Sequence, residues 1–120
     1  MSKKRVSAIF LYDMVCAVDK ILSYTESLSK QDLLQNELVK DAILRNIQVL
    51  GDAAKNVPPE FIENHQEIDW KGIAGLRDII THQYFRFDWN IIWTTVQEDL
   101  PSLSSILHDL LERSITEDNE

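Results

Sequence analysis

Two side chains suited to phosphodiester chemistry, Arg77 and His82, lie five positions apart, and Tyr84 follows His82 by two. A guanidinium binds phosphate oxygens, and an imidazole is the side chain best placed to move protons near neutral pH. Metal-independent cleavage of RNA needs a base for the 2′-hydroxyl proton and an acid for the leaving 5′-oxygen. It also needs positive charge on the phosphate. The order Arg-x4-His-x-Tyr therefore makes Arg77 and His82 candidate catalytic residues for RNA cleavage.

The motif lies on a segment with the hydrophobic periodicity of a helix. At about 100° per residue, Arg77, Asp78 and His82 fall on a polar stripe. The apolar residues share the opposite arc and are expected in the core: Ile73, Leu76, Ile79 and Ile80. Asp78 precedes His82 by one turn, so its carboxylate is placed to orient the imidazole and favour its charged form. The same spacing also fits an ordinary solvated helix surface.

The charge balance of the chain opposes a general affinity for nucleic acid. Among 120 residues, 12 are Lys or Arg and 20 are Asp or Glu, which gives a net charge of −8. Because non-specific binding to phosphate backbones is mostly electrostatic, an RNA substrate must meet a local positive patch. Candidates for that patch are Lys71, Arg77 and Arg86. The acidic remainder suits a basic protein partner.

Other classes of site find little support in the sequence. The single cysteine, Cys16, rules out an internal disulfide and fits a reducing cytoplasm. Asp13 interrupts the apolar run near the start, so an amphipathic helix is expected there instead of a signal peptide, and no run is long enough to cross a bilayer. His65 and His108 are expected at the surface. With no metal-ligand spacing and no glycine-rich phosphate loop, neither a metal nor a cofactor is expected.

The first half of the chain has the apolar spacing of two long helices. Inward residues of the first recur every three or four positions: Leu11, Met14, Val18, Ile21, Thr25 and Leu28. Ser29 and Asp32 have the spacing of a capping box, which predicts the start of a second helix that runs to about Asn56. Its expected inward residues are Leu38, Ala42 or Ile43, Ile47, Leu50 and Ala54. Gly51, beside two alanines, predicts a close crossing with another helix.

The two prolines at positions 58 and 59 predict the end of the second helix and a connector. That connector is expected to contain a short helix over residues 60–64. Trp70 is expected to hold the start of the motif helix in the core. We expect the motif helix to end or bend at Gln83, because Gln83 would otherwise face the apolar side.

The last part of the chain predicts one more long helix. Asp88 is a candidate N-cap, and Pro101 predicts a kink or a restart. The expected inward residues are Trp89, Ile92 or Trp93, Val96, Leu100, Leu103, Ile106 or Leu107, and Leu110. Because no segment has the period of a strand, the sequence predicts an all-α antiparallel bundle of four to five helices. One domain over residues 1–115 is expected, with an acidic, disordered tail over residues 116–120.

Residues 69–84, with the sequence DWKGIAGLRDIITHQY, resemble the signature of the HepT-like toxins. These toxins belong to the HEPN superfamily (higher eukaryotes and prokaryotes nucleotide-binding domain). Residues 41–55, DAILRNIQVLGDAAK, and residues 92–101 extend the resemblance over most of the chain. It implies a small all-α homodimer in the cytoplasm, acting as the toxin of a type VII-like toxin–antitoxin pair. Position 78 is Asp, where many relatives carry Asn, so the role of that position does not carry over.

The resemblance also implies a partner, a minimal nucleotidyltransferase antitoxin that attaches AMP to the tyrosine at position 84. AMP on Tyr84 would bring negative charge beside Arg77 and so neutralise the toxin. One chain supplies one well-placed histidine, whereas two motif helices meeting across a two-fold axis supply two copies each of His82 and Arg77. The expected activity is that of a metal-independent endoribonuclease with a composite site at the dimer interface. It would cut RNA, with tRNA and mRNA as candidates, and leave 2′,3′-cyclic phosphate ends.

Two other interpretations fit the same residues. In one, the chain is a non-catalytic HEPN binding module that presents substrate to a nucleotidyltransferase or regulates it, which the acidic surface favours. In the other, it is a structural helical dimer in which Arg77 and His82 matter only for stability. From spacing alone, Tyr84 fits a ring packed at the helix edge. Trp89 and Trp93 fit the core better than a base-stacking platform.

Overall fold

The computed structural model describes the backbone of residues 3–82 and 88–118 and the side chains of residues 5–80 and 88–116. In these residues the fold contains helices and no strand, which confirms the predicted all-α class. The α-helices are α1 (Lys3–Thr25), α2 (Lys30–Leu34), α3 (Glu37–Asn56), α4 (Pro59–Asn64), α5 (Trp70–His82), α6 (Trp89–Thr94) and α7 (Leu100–Asp118). A π-helical turn, Thr95–Asp99, joins α6 to α7. None of the described helices is both long and apolar enough to cross a membrane.

The core lies where α1 packs between α3 and α7. The apolar stripe predicted on α1 is buried, with Leu11, Met14, Val18 and Ile21 all fully inaccessible to solvent. Helix α1 ends at Thr25, so the predicted Leu28 lies beyond the helix and is only partly buried. The Thr25 hydroxyl donates to the carbonyl of Ile21 at 2.9 Å, so that the buried oxygen is paired. Helix α5 packs on α3 at the edge of this core. The motif helix is therefore held mainly by one neighbour.

The second predicted helix is divided in two. The capping box forms as expected: the N–H of Ser29 donates to Asp32 Oδ2 and the N–H of Asp32 donates to Ser29 Oγ, both at 3.1 Å. It begins only the five-residue helix α2, however, because Asn36 caps a new helix by accepting a hydrogen bond from the N–H of Val39 at 3.0 Å. The prediction of one continuous helix from residue 29 is therefore wrong.

Leu38 was predicted to face inward on a continuous second helix. It lies in the first turn of α3 and is 82% exposed, so its predicted inward position is wrong. Further along α3 the predicted register is confirmed, since Ile43, Ile47 and Leu50 are buried and the helix ends at Asn56. Because α3 begins after its N-cap Asn36, its first turn lies outside the core.

The predicted connector and its short helix are confirmed by α4, which has Pro59 in its first turn. Trp70 begins α5 and is partly buried against the core. Its indole Nε1 donates to the carbonyl of His65 at 2.8 Å, and its ring meets that of Phe61 edge-on with centroids 6.4 Å apart. Trp70 thus fixes the start of the motif helix, as its position predicted.

The last helical stretch begins at the predicted cap. Asp88 Oδ1 accepts a hydrogen bond from the N–H of Asn90 at 3.0 Å. Pro101 lies in the first turn of α7, directly after the π-helical turn. In that turn the N–H of Leu100 bonds to the carbonyl of Thr95, and the next residue, Pro101, has no N–H to donate. The predicted restart near Pro101 is therefore confirmed, with a widened turn in front of it.

Candidate functional site

Arg77 owes its position to a close crossing of α5 over α3. A Cβ atom added to Gly51 would lie 2.5 Å from the Cβ of Arg77 and 2.7 Å from its Cδ. Only glycine leaves room for the Arg77 side chain to lie along α3 at this point. The close crossing that Gly51 predicted is confirmed, and its partner is the arginine of the motif.

The guanidinium of Arg77 is held by a carboxylate on the neighbouring helix. Arg77 Nε donates to Asp52 Oδ1 at 2.6 Å, and the two side chains are 26% and 48% exposed. A bond through Nε restrains the plane of the guanidinium. Asp52 thus sets the orientation of the group expected to bind phosphate.

Sequence reasoning missed Asp52, although a signal for it exists. Asp52 follows the glycine that predicted the helix crossing, and an acidic residue at a crossing must face solvent or meet a cation on the other helix. Among the cations that the sequence analysis singled out, Arg77 lies in the motif helix. Combining these two observations would have paired Asp52 with Arg77 before the structure was known.

Asp78 lies beside Arg77 in the structure. Its carboxylate Oδ1 is 3.7 Å from Arg77 Nη1, and its side chain is 62% exposed. At that separation the contact is an ion pair without a hydrogen bond, and it is weaker than the contact with Asp52. The predicted contact between Asp78 and the His82 ring lies outside the described side chains.

His82 is the last residue of α5 that the structure describes, and its backbone is described while its side chain is not. The predicted end or bend at Gln83 lies outside the described residues. Tyr84 and Arg86, which were also predicted site residues, lie outside the described residues. At about 100° per residue, positions 77 and 82 are about 140° apart around the helix axis.

The predicted apolar arc of α5 is narrower in the structure than expected. Ile73 is buried and Leu76 and Ile80 are partly buried, which confirms three of the four positions. Ile79 is 40% exposed, so its predicted place in the core is wrong. The physical reason is that α5 packs mainly on α3, and the side of the helix that carries Ile79 borders an open groove.

The remaining histidines take part in local contacts. His65 Nδ1 is 2.8 Å from Glu67 Oε1, and the His65 side chain is 25% exposed, less than predicted. His108 is 54% exposed, as predicted, and its Nε2 is 2.7 Å from Asp19 Oδ2, which links α7 to α1. Over the described ranges, no group of His, Cys, Asp and Glu side chains could hold a metal ion.

Lys71 is the exposed cation on the described part of α5. The other two members of the predicted positive patch are Arg77, which is paired with Asp52, and Arg86, outside the described range. Trp89 and Trp93 are partly buried and pack against the core, as predicted. The Nζ atom of Lys40 lies 5.3 Å from the centroid of the Trp89 ring, a cation–π contact between α3 and α6.

The described residues form an all-α fold, and the motif helix carries an arginine that Gly51 and Asp52 position. The model of the family described as "Ribonuclease HepT-like" matches residues 14–110, most of the chain. The chain therefore belongs to the HepT-like ribonuclease family. This membership confirms the resemblance seen in the motif and supports ribonuclease activity as its function.

Several relatives align over nearly their full lengths. A protein of Thermococcus cleftensis named "Probable ribonuclease HepT" is 36% identical, with 83% of this chain and 91% of the relative covered. Two Methanocaldococcus jannaschii proteins, each named "Putative RNase", are 32% and 34% identical. The first alignment covers 94% of this chain and 100% of the relative, and the second covers 92% and 93%. No solved structure gives a significant match to this chain.

Proposed function

We propose that this chain is the toxin of a cytoplasmic toxin–antitoxin pair and acts as a metal-independent endoribonuclease. The observation that carries the proposal is the fixed guanidinium of Arg77. Gly51 makes room for this side chain and Asp52 orients it, on the helix that also carries position 82. A phosphate-binding group held in one orientation before substrate arrives is what stabilisation of a charged transition state needs. Family membership supports RNA as the substrate.

The proposed reaction uses two imidazoles, one as base and one as acid, and the guanidinium of Arg77. A base, His82 of one subunit, removes the proton of the 2′-hydroxyl, and the 2′-oxygen attacks the adjacent phosphorus. The bond from phosphorus to the 5′-oxygen breaks, and an acid protonates that oxygen as it leaves. The products are a 2′,3′-cyclic phosphate and a 5′-hydroxyl, and Arg77 balances the charge on the phosphate oxygens throughout.

The arrangement on α5 favours a composite site. Positions 77 and 82 are about 140° apart around one helix axis, and a single chain supplies only one histidine at the motif. Two copies related by a two-fold axis would bring Arg77 and His82 of both chains to one cleft and supply one imidazole as base and one as acid. We therefore propose a homodimer as the active form.

The two carboxylates near Arg77 have different proposed roles. The short contact to Asp52 keeps the guanidinium plane in place while substrate binds. The 3.7 Å contact to Asp78 is weak enough for the negatively charged oxygens of an RNA phosphodiester to replace it. Asp78, one turn before His82, is then placed to favour the charged imidazole. Asp52 is thus a positioning residue, and Asp78 is a supporting one.

Tyr84 is the proposed control point. A minimal nucleotidyltransferase antitoxin would transfer AMP from ATP to the phenolic oxygen and release pyrophosphate. The added phosphate carries negative charge and would compete with RNA for Arg77. This role rests on the match of Tyr84 to the tyrosine of the family motif.

A second function, a non-catalytic binding module that serves a nucleotidyltransferase, is favoured by two observations. The chain has a net charge of −8, and Arg77 already has two carboxylates beside it. Both features weaken the attraction of RNA. In this alternative, Arg77 and Asp52 would only lock α5 to α3.

Growth of a bacterial host that expresses the chain without an antitoxin separates these functions. Arrest by the wild type and its loss in Arg77→Ala and His82→Ala support the ribonuclease. Matched controls are Lys20→Ala, an exposed cation on α1, and His108→Ala, an exposed imidazole on α7. Both controls should keep the arrest. Arrest that persists in both site variants would contradict the assignment of the catalytic residues.

A further inference from the structure

Arg45 is an exposed arginine on α3, two helical turns before Asp52. Residues seven positions apart on an α-helix differ by about 20° around its axis, so Arg45 and Asp52 lie on the same face of α3. On that face Asp52 accepts the hydrogen bond from Arg77. Arg45 therefore lies on the side of α3 that meets the motif arginine.

Helices α3 and α5 run in opposite directions. The connector that holds α4 joins the end of α3 to the start of α5, and the two helices pack on each other. Positions before Asp52 on α3 therefore lie beside positions after Arg77 on α5. Along the helix axes, Arg45 is about 10 Å before Asp52 and position 82 is about 8 Å beyond Arg77. Arg45 is thus close to the level of position 82, which carries the proposed base.

The guanidinium of Arg45 is not neutralised by the acids next to it on α3. Asp52 is engaged by Arg77, and in the part of the chain that the structure describes no ion pair joins Arg45 to Asp52 or to the exposed Asp41. The whole chain has a net charge of −8. On such a chain an unneutralised arginine creates a local positive potential, which is what an RNA phosphate needs in order to bind.

We propose that Arg45 forms a second phosphate-binding subsite, which holds the RNA phosphate adjacent to the one that is cut. Arg77 would bind the scissile phosphate, and Arg45 would bind its neighbour along the strand. A planar guanidinium suits this role because it can bind two phosphate oxygens at once. The inference rests on the proposed function, since it assumes that RNA crosses the end of α5. The substrate class it implies is RNA with a single-stranded segment, whose backbone such cations can follow.

Binding of an RNA that cannot be cut tests the subsite directly. The probe is a 2′-O-methyl oligonucleotide of six nucleotides, which has the phosphates of RNA but no 2′-hydroxyl to attack them. Fluorescence anisotropy measures its Kd for the unmodified full chain at several salt concentrations. Each phosphate contact to a single strand contributes about 0.7 to the slope of log Kd against log salt concentration. Arg45→Ala should lower this slope by about 0.7 and weaken binding about five- to tenfold at low salt.

Two further variants separate the subsite from the total charge and from the fold. Arg45→Lys keeps the charge but loses the planar fork, so it should keep most of the slope and weaken binding less than Arg45→Ala does. Lys20→Ala removes an exposed cation from α1 and should leave the slope and the Kd unchanged. Circular dichroism should show that Arg45→Ala retains the fold, because alanine is the strongest helix former and position 45 is exposed.

Cleavage kinetics give a readout that a purely structural role of Arg45 would not produce. A residue that holds a phosphate distant from the reacting atoms contributes equally to the bound substrate and to the transition state. Arg45→Ala should therefore raise KM for a long RNA about five- to tenfold, while kcat changes less than about threefold. A lower kcat with an unchanged KM would overturn the subsite.

The binding results separate this proposal from the ribonuclease. No binding of the oligonucleotide by the wild type, an unchanged slope in Arg45→Ala, or an equal loss in Arg45→Ala and Lys20→Ala would overturn the subsite. If the oligonucleotide binds through Arg45 but RNA stays intact, the subsite stands and the ribonuclease fails. If RNA is cut and Arg45→Ala keeps the wild-type KM, the ribonuclease stands and the subsite fails.

Discussion

Arg77 Nε lies 2.6 Å from Asp52 Oδ1, and this contact joins the motif helix α5 to the central helix α3. It does so where Gly51 leaves room for the Arg77 side chain. The pair is partly exposed, so its contribution to stability is about 1 kcal/mol or less. Its main consequence is geometric, because it decides where the guanidinium lies before substrate binds.

Replacing Asp52 should therefore impair catalysis more than folding. Asp52→Ala removes the acceptor for Nε and should lower the single-turnover cleavage rate by about 10- to 100-fold, since a misplaced charge stabilises the transition state poorly. Asp52→Asn keeps an oxygen acceptor and should lose less. Asp109→Ala, which breaks the exposed pair with Arg113 on α7, is the matched control. If Asp52→Ala cleaves RNA at the rate of this control, Asp52 does not position Arg77.

Gly51 and Gly75 should respond in opposite ways to the same substitution. In Gly51→Ala the new methyl group would lie 2.5 Å from the Cβ of Arg77, which cannot move without its helix. We expect a net loss of about 1–2 kcal/mol in the free energy of unfolding, because overpacking outweighs the gain in helix propensity. Gly75→Ala meets nothing within 4 Å and should gain up to about 1 kcal/mol. Urea unfolding of both variants tests this; equal stabilisation would mean that the helices do not cross at Gly51.

Helix α3 offers a test of the position at which it begins. Leu38 is 82% exposed, so Leu38→Ala should change the free energy of unfolding by less than about 0.5 kcal/mol. Ile43 is fully buried on the same helix, and Ile43→Ala should cost about 2–5 kcal/mol. Chemical denaturation measures both. A large loss in Leu38→Ala would show that α3 continues the register of α2, as the sequence had predicted.

Tyr84→Phe should leave the toxic activity intact but prevent its neutralisation by the antitoxin. The phenylalanine ring keeps the packing surface but has no oxygen to accept AMP, so cells should remain arrested even when the antitoxin is co-expressed. Mass spectrometry of the wild type purified from the same cells should show the mass of one added AMP. Rescue of the Tyr84→Phe strain by a catalytically intact antitoxin would show that neutralisation does not act through this oxygen.

Much of the fold followed from periodicity and local signals in the sequence. The buried stripe on α1 follows from apolar residues spaced three or four apart, and the cap at Asp88 follows from its residue type before an apolar run. Both were predicted. The break at Asn36 was missed because Asn36 lies in a segment whose apolar spacing continues across it. Whether Asn36 turns outward to accept a helix N–H or stays within a helix depends on tertiary packing.

The candidate site was predictable to the extent that it is local. Arg77, Asp78 and His82 lie in one helical segment, so their types and order could be read directly from the sequence. The contact between Arg77 and Asp52 joins residues 25 positions apart, and it required knowledge of which helices cross. The exposure of Ile79 was missed for a related reason, since a helix wheel does not show how many neighbours cover the apolar arc.

The most direct test of the account is incubation of purified chain, shown by mass spectrometry to carry no AMP, with tRNA and total RNA in the presence of EDTA. The proposed mechanism predicts cleavage that leaves 2′,3′-cyclic phosphate and 5′-hydroxyl ends, and its loss in His82→Ala with the fold retained by circular dichroism. His108→Ala, the control imidazole, should cleave like the wild type. RNA left intact by the unmodified wild type, or cut equally by His82→Ala, would contradict the account and favour the binding module.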